Sequence, residues 1–328
     1  MSEQDPLKRS RLGLRGMLLA SGGVLLAGSV FIVPNAGLLQ GGGPTTAIAE
    51  TLATVSPGED PGPSDPAVRN QGAAAGPAEA APAQALVPVY WLGDVEGSDR
   101  LFREFLSAPE GSTGDPIADA VRLMTAGRPL DPDYRSPWQQ ASSVRSAIST
   151  KNVITLDISS DAFSPRLDED AARLALQQLV YTATAAASNA GLIPGGESSS
   201  VVVLVDGAAD VRAFDAIDLV GEWTRDTTAL APVWIIDPQE DVEADTAGLI
   251  IHGVGPSSEE SVAWRIDRSE DGSADGPTAL FRDGSVDITP EDGAYSFSVT
   301  LPPGRYDITV SVPAADGGAQ DSKSIVVR

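Results

Sequence analysis

Between Pro34 and Leu86 the chain gives 29 of 53 positions to Ala, Gly and Pro and carries no aromatic side chain. Such a stretch cannot bury enough apolar area to offset the entropy of ordering it, so a flexible linker is expected over 34–85 and any packed core is confined to 86–328. Its eight prolines favour partly extended backbone, with a reach on the order of 50 Å.

Upstream of the linker, Lys8, Arg9, Arg11 and Arg15 precede an uncharged run from Gly16 to Val33 (GMLLASGGVLLAGSVFIV). The run is long enough to cross a hydrocarbon core of about 30 Å. The expectation is a cytoplasmic basic stub at 1–15, a transmembrane signal anchor at 16–33 and an extracytoplasmic remainder, single-pass in the cell membrane. A cleaved signal peptide competes with it. A small-x-small site stands at Ala47-Ile48-Ala49, well beyond the apolar run, whereas a cut after Ala36 would put Pro34 at the disfavoured minus-three position.

Composition narrows the chemistry. There is no cysteine, which excludes disulfides, thiolate metal sites and a thiol nucleophile, and His252 is the single histidine. With 46 acids against 22 bases and a net charge of -24, nucleic acid is not an expected partner, because that binding needs clustered Lys and Arg. The acidity is spread, -10 over residues 87–232 and -12 over 233–328, and forms no tail.

The first folded region, 86–232, alternates strands and helices. Leu86–Leu92 and Leu101–Leu106 read as strands. Asp115, Pro116 and Gly127 bracket a helix as cap, first position and stop, around Ile117, Ala120, Val121 and Met124. Val144–Ser149 and Val153–Ser159 form a hairpin pattern across Thr150–Asn152. A second helix is expected from Glu169 to Ser188, acidic at its start, with Leu176, Leu179, Val180, Ala183 and Ala187 as its buried stripe and Gly191 at its end. The strand Val201–Val205 then closes on the turn pair Asp206-Gly207.

These residues resemble the GerMN domain first described in a spore-germination protein. That family has a strand close to v-t-v-D-l-s-s-x-F, an acidic helix start, a Q-l-V-y-T-l-t helix and a v-d-G turn. Here they correspond to Val153–Phe163, Gln178-Leu179-Val180-Tyr181-Thr182 and Val203–Gly207. The Pro-rich stretch Pro129–Trp138 fits a loop carried by actinobacterial relatives. The resemblance implies an α+β domain with two helices packed on a mainly antiparallel sheet.

The second region, 233–328, is predicted all-β. Seven strands are expected at Val233–Ile236, Leu249–Val254, Ser261–Asp267, Ser285–Thr289, Tyr295–Leu301, Tyr306–Val312 and Ser324–Val327, at the spacing of a sandwich. The patterns around Ile250–Val254, Val262–Ile266, Gly293–Phe297 and Gly304–Tyr306 resemble the immunoglobulin-like domain that follows GerMN in bacterial spore-germination proteins. Without a cysteine pair, Trp264 is expected to pack on aliphatic side chains alone.

Candidate chemistry is sparse. Asp157 is read as a turn or capping residue and Tyr181 and Thr182 as packing residues with satisfied hydroxyls. Asp206-Gly207 is read as a turn, and His252, alternating with Ile250 and Val254, as a satisfied sandwich histidine and not a base. Asp271–Gly276 begins like a calcium loop, yet Arg282 stands where the twelfth-position Glu belongs. No Gly-x-Ser-x-Gly elbow or phosphate-binding loop occurs. No catalytic, cofactor-binding or metal residue is therefore assigned. The resemblance implies a non-enzymatic, membrane-anchored envelope module that meets a protein partner, itself or the cell wall, with a role in sporulation or germination. Family lipoproteins carry an N-terminal cysteine that is missing here, which leaves anchoring to the apolar helix. The alternative is an envelope carbohydrate- or ester-hydrolysing enzyme built on a carboxylate pair, which the acid count permits but the 5% aromatic content does not favour.

Overall fold

The structure is a computed structural model that describes residues 86–328 except 110, 113, 195–197, 247, 275 and 313–317. The expected stub at 1–15, anchor at 16–33 and linker at 34–85 lie outside the described residues. Among the described residues no helix is long and apolar enough to cross a membrane.

Local sequence signals account for the first elements. Strands β1 (Leu86–Val95) and β2 (Ser98–Ser107) pair antiparallel through a tight turn at Glu96-Gly97, whose φ values of 53° and 79° suit the right-handed twist of a hairpin. Helix α1 (Pro116–Ala126) begins where Asp115 accepts the Ala118 amide at 3.0 Å and stops at left-handed Gly127. β3 (Val144–Ile148) and β4 (Val153–Ile158) form the expected hairpin. α2 (Glu169–Asn189), capped by Asp168, leads to β5 (Ser200–Val205).

The sheet arrangement differs from the expected one. Among the described residues there is no single, mainly antiparallel sheet: β1 and β2 stand as a two-stranded sheet, and β3-β4-β5 form another in which β4 and β5 run parallel. A parallel neighbour needs a crossover, and the 21-residue α2 supplies it. The predicted stripe of α2 is buried, but so is every residue from Ala175 to Ala187. The cause lies downstream. After the small ribbon of β6 (Arg212–Ala213) and β7 (Ile217–Asp218), the chain wraps over the far face of α2, where Gln177 bonds both Thr224 and Asp226 and the Tyr181 hydroxyl donates to the Asp226 carbonyl at 3.0 Å.

The second region is a two-sheet sandwich. Strands β8 (Trp234–Asp237), β9 (Val242–Ala244), β10 (Leu249–Val254), β11 (Ser261–Ser269), β12 (Thr278–Asp287), β13 (Ala294–Val299), β14 (Gly304–Ser311) and β15 (Gln320–Val327) form sheets ordered β13-β10-β8 and β12-β11-β14-β15-β9. Three expectations are corrected. β12 spans Thr278–Asp287, not Ser285–Thr289, because it tracks the whole length of β11. The unanticipated β9 pairs parallel with β15. Trp264 stacks on Phe297, 4.8 Å between ring centres, so its partner is aromatic.

Strand β8 belongs to both regions. Alternation sends Val233 and Ile235 into the sandwich core, while Trp234 and Ile236 enter the core built by α1, α2 and the first sheets. One short apolar run thus fills two cores, which explains why it has no polar face.

Candidate functional site

Where the two cores meet, charged side chains are buried together. Glu104 shares its face of β2 with Phe102 and is fully buried. Asp131 and Tyr134 come from the loop after α1, the Pro-rich loop seen in the sequence. Asp321 and Lys323 lie on β15 at the same parity as the core residues Ile325 and Val327, so the strand that buries those two also buries the charges.

Every member has a partner. The Glu104 carboxylate accepts the Leu130 and Asp131 amides, both at 2.9 Å. Lys323 donates to Asp131, and to the Tyr134 hydroxyl at 2.9 Å. Tyr134 donates in turn to Asp321 at 2.7 Å, whose other oxygen accepts the Ile235 amide at 2.7 Å. The Tyr134 ring stacks on Phe102, 4.8 Å between centres, and the Lys323 ammonium lies 4.2 Å from its centre. At the rim, Gln239 accepts the Phe105 amide at 3.0 Å and Glu240 accepts the Ser324 amide at 2.8 Å.

Burial sets the protonation preferences. Loss of water pushes Glu104 and Asp321 above the ordinary carboxylate range, against the opposing pull of their amide bonds and Lys323. Glu240 is pushed to about 7 by burial, with Asp131 and Asp241 adding to the rise. Tyr134 is held well above its usual value, first by burial and then by Asp321 and Asp131. Burial alone would lower Lys323, but Asp321, Asp131 and Glu104 together outweigh it and raise it, so the ammonium stays charged.

The carboxylates that converge here do so in a closed seam, saturated by Lys323, a phenol and backbone amides. They do not flank an open cleft as a hydrolytic pair must. Among the described residues no group of three or more His, Asp or Glu side chains is placed to hold a metal ion.

Of the residues singled out in the sequence, Asp157 meets the Asp206-Gly207 turn and the others lie apart. Asp157 accepts the Gly207 amide at 2.8 Å and pairs with Arg145, while Asp206 accepts the Ser160 amide at 3.2 Å, so both acids tie the end of β4 to the turn after β5. Thr182 accepts the Tyr90 amide at 3.1 Å. His252 is not enclosed in the sandwich: it is exposed on the outer face of the β13-β10-β8 sheet, opposite Asp237. In the calcium-like stretch, Asp271 spends an oxygen on the amide and hydroxyl of Ser273, and Asp275 lies outside the described residues. Sequence reasoning missed the seam, although Asp321 and Lys323 at the parity of Ile325 and Val327 are a visible signal.

An α+β domain with a crossover helix, joined to a β-sandwich by a buried ionic seam, defines a modular two-domain architecture. Residues 88–211 match the family model described as Germane, sporulation and spore germination, and the first domain is of that GerMN type. Among solved structures, the chain is similar to the tandem GerMN domains of the sporulation protein GerM from Bacillus subtilis, with 18% identity over 43% of this chain and 45% of that one and a TM-score of 0.32. The chain thus spans about half the length of that relative. It is also similar to fibronectin(III)-like modules of Clostridium thermocellum CbhA, with 22% identity over 29% of this chain and 95% of that one and a TM-score of 0.21. No curated protein matches the chain.

Proposed function

We propose that this protein is a non-enzymatic interaction module of a bacterial cell envelope, tethered to the membrane by its N-terminal apolar run and acting in a process related to sporulation or germination. The match of residues 88–211 to the Germane family carries the proposal. The partner is an envelope protein or a second copy, met through the first domain, with cell-wall contact as a further role for the sandwich.

The sheet edges support a side-chain mode of recognition over strand addition. On β3, the outward amide of Ser146 is taken by Asp115 at 3.2 Å and the carbonyl of Val144 by Arg122 at 2.8 Å. On β5, Val201 exchanges two hydrogen bonds with Trp223, both at 2.8 Å. Blocked edges resist pairing with another strand, which leaves the polar faces and exposed apolar side chains such as Val220 to meet a partner.

The test has two stages. A topology fusion and fractionation should place the folded part outside the cytoplasm and in the membrane fraction, and envelope crosslinking with pulldown should then recover a specific partner or a dimer. Recovery of monomer alone, or of soluble cytoplasmic protein, would overturn the proposal.

A further inference from the structure

The blocking at β3 and β5 extends to the other strands of the first domain but not to the sandwich. On β1, Leu92 exchanges hydrogen bonds with Arg135, and on β2 the Leu101 carbonyl and the Phe105 amide are taken by Ala231 and Gln239. In the second domain β9 offers only three residues, whereas β12 is a ten-residue edge strand. Among the described residues, no residue of β12 gives or takes a hydrogen bond beyond its ladder to β11. All of its side chains except Phe281 and Val286 are exposed. A free row of amides and carbonyls of this length is a template for another strand.

The edge has a guarded half and an open half. Phe281 is an extra residue against β11, where the register shifts between Ile266 and Asp267, and the Arg282 guanidinium lies 5.9 Å from its ring centre. Bulge and charge turn pairing away from that end. From Arg282 to Asp287 the register with β11 is unbroken. Over this stretch Asp283, Ser285 and Asp287 share the outer face with Arg265, while Gly284 and Val286 lie on the inner face with Trp264 and Val262.

The two faces define what an added strand must carry. Arg265, opposite Asp283, gives two hydrogen bonds to Asp267, so Asp283 and Asp287 have no ion pair among the described residues, in a domain whose net charge is -12. Cations are missing there. On the inner face, a Cβ at Gly284 would come within 2.6 Å of the Trp264 ring, so the indole reaches the edge strand itself, stacked on Phe297 of β13. Both rings are only partly buried. A second copy of the chain fits poorly: it brings the same acids, and two β12 strands centred on Ser285 would set Asp283 against Asp287.

We propose that the Arg282–Asp287 edge of β12 receives an extended, basic segment of a partner protein as an added strand. Backbone hydrogen bonds supply affinity, Lys or Arg side chains meet Asp283 and Asp287 on the outer face, and an apolar side chain beside Gly284 covers the Trp264 indole. The site lies on the second domain and stands apart from the first-domain contact, so either can fail without the other.

Hydrogen exchange of the full chain in detergent, with and without the capped hexapeptide Lys-Val-Thr-Leu-Lys-Thr, tests the proposal. Laid antiparallel to β12, its lysines face Asp283 and Asp287 and its leucine faces Gly284. Millimolar peptide should slow the free amides of 282–287 and leave the first domain unchanged. N-methylation of alternate peptide residues should abolish the effect in one phase and spare it in the other, because only one set of peptide amides faces the edge. Replacing both peptide lysines by Glu should weaken binding at least several-fold, as should Asp283→Lys combined with Asp287→Lys in a chain shown by circular dichroism to be folded. No slowing at millimolar peptide, equal binding in both N-methyl phases, or undiminished binding of the Glu peptide would each overturn the proposal. Protection of 282–287 in a dimer formed without peptide would overturn it in favour of a second copy. If the doubly substituted chain does not fold, the Glu peptide decides the charge requirement alone.

Discussion

The Tyr134 hydroxyl of the first domain donates to Asp321 of the second at 2.7 Å, across 187 positions of sequence, and in the same place accepts from Lys323. One phenol thus connects two charges of opposite sign on a single strand. The consequence is a seam in which no member can be removed without stranding another.

Lys323→Met should therefore cost about 3–5 kcal/mol, since it leaves Asp131 and Asp321 buried without their cation. By contrast, Arg265→Ala, which breaks a pair with Asp267 on the outer sandwich face, should cost far less because water screens the guanidinium. Urea denaturation of the two variants checks the contrast; equal losses would mean that the buried cluster adds nothing beyond a surface pair.

Trp234→Ala is expected to uncouple the domains. Trp234 fills the first core from a strand whose alternate residues fill the second, so its removal should cost about 3–5 kcal/mol. Scanning calorimetry should show the melting of the variant split into two transitions. Retention of the parent profile would show that β8 does not couple the cores.

Gly253→Ala should destabilise the sandwich although the change is one methyl group. A Cβ there would run into the Tyr295 hydroxyl and the Trp234 carbonyl, groups already bonded to each other at 3.1 Å. Forcing them apart should cost about 1–3 kcal/mol. A thermal melt of the variant tests it, and an unshifted midpoint would contradict the close approach.

Stability should fall on both sides of a mildly acidic optimum. Glu240 rises from an ordinary 4.5 to about 7 on folding, so its contribution is complete below the unfolded value and is lost as pH climbs through the folded one. Glu104, Asp237 and Asp321 are raised by burial and act in the same sense. Asp161, Asp226 and Asp271 are lowered, chiefly by hydrogen bonds from Ser142, Thr228 and Ser273, so their contribution is present above the usual carboxylate value and is lost as pH falls through the folded one. Denaturation midpoints measured from acid to alkaline pH should trace a dome; a curve rising steadily to pH 8 would contradict the raised group.

Asp115→Ala should cost about 1–2 kcal/mol, at the upper end for a helix cap. Asp115 accepts from Ala118 at the start of α1 and also from the amide and hydroxyl of Ser146, the latter at 2.8 Å, so one change frays a helix and bares a strand edge. Hydrogen exchange at Ala118 and Ser146 should accelerate together; faster exchange at Ala118 alone would show that the edge is held by something else.

The local elements were legible because their causes are local. Asp115, Pro116 and Gly127 set the limits of α1 through caps and backbone preferences, and Asp206-Gly207 adopts a tight turn with φ values of 50° and 80°. The alternation of Ile154, Leu156 and Ile158 determined which face of β4 is buried. Alternation even marked Asp321 and Lys323 as charges on the face of Ile325 and Val327, without saying what they meet.

What meets them was decided in three dimensions. Asp131, held by Glu104 through its amide, reaches Lys323 from the other domain, and no periodicity in β15 encodes a partner 192 residues away. The all-round burial of α2 depends on the segment that returns over it, the exposure of His252 on which sheet face the first domain leaves uncovered, and the parallel pairing of β4 with β5 on the path of the crossover. Sequence by itself set the linker's composition, the caps, the turns and the alternation, because these act over a few residues of backbone. Long-range packing alone placed one strand in two cores and surplus acid around one lysine, because the cost of burying a charge depends on everything that closes around it.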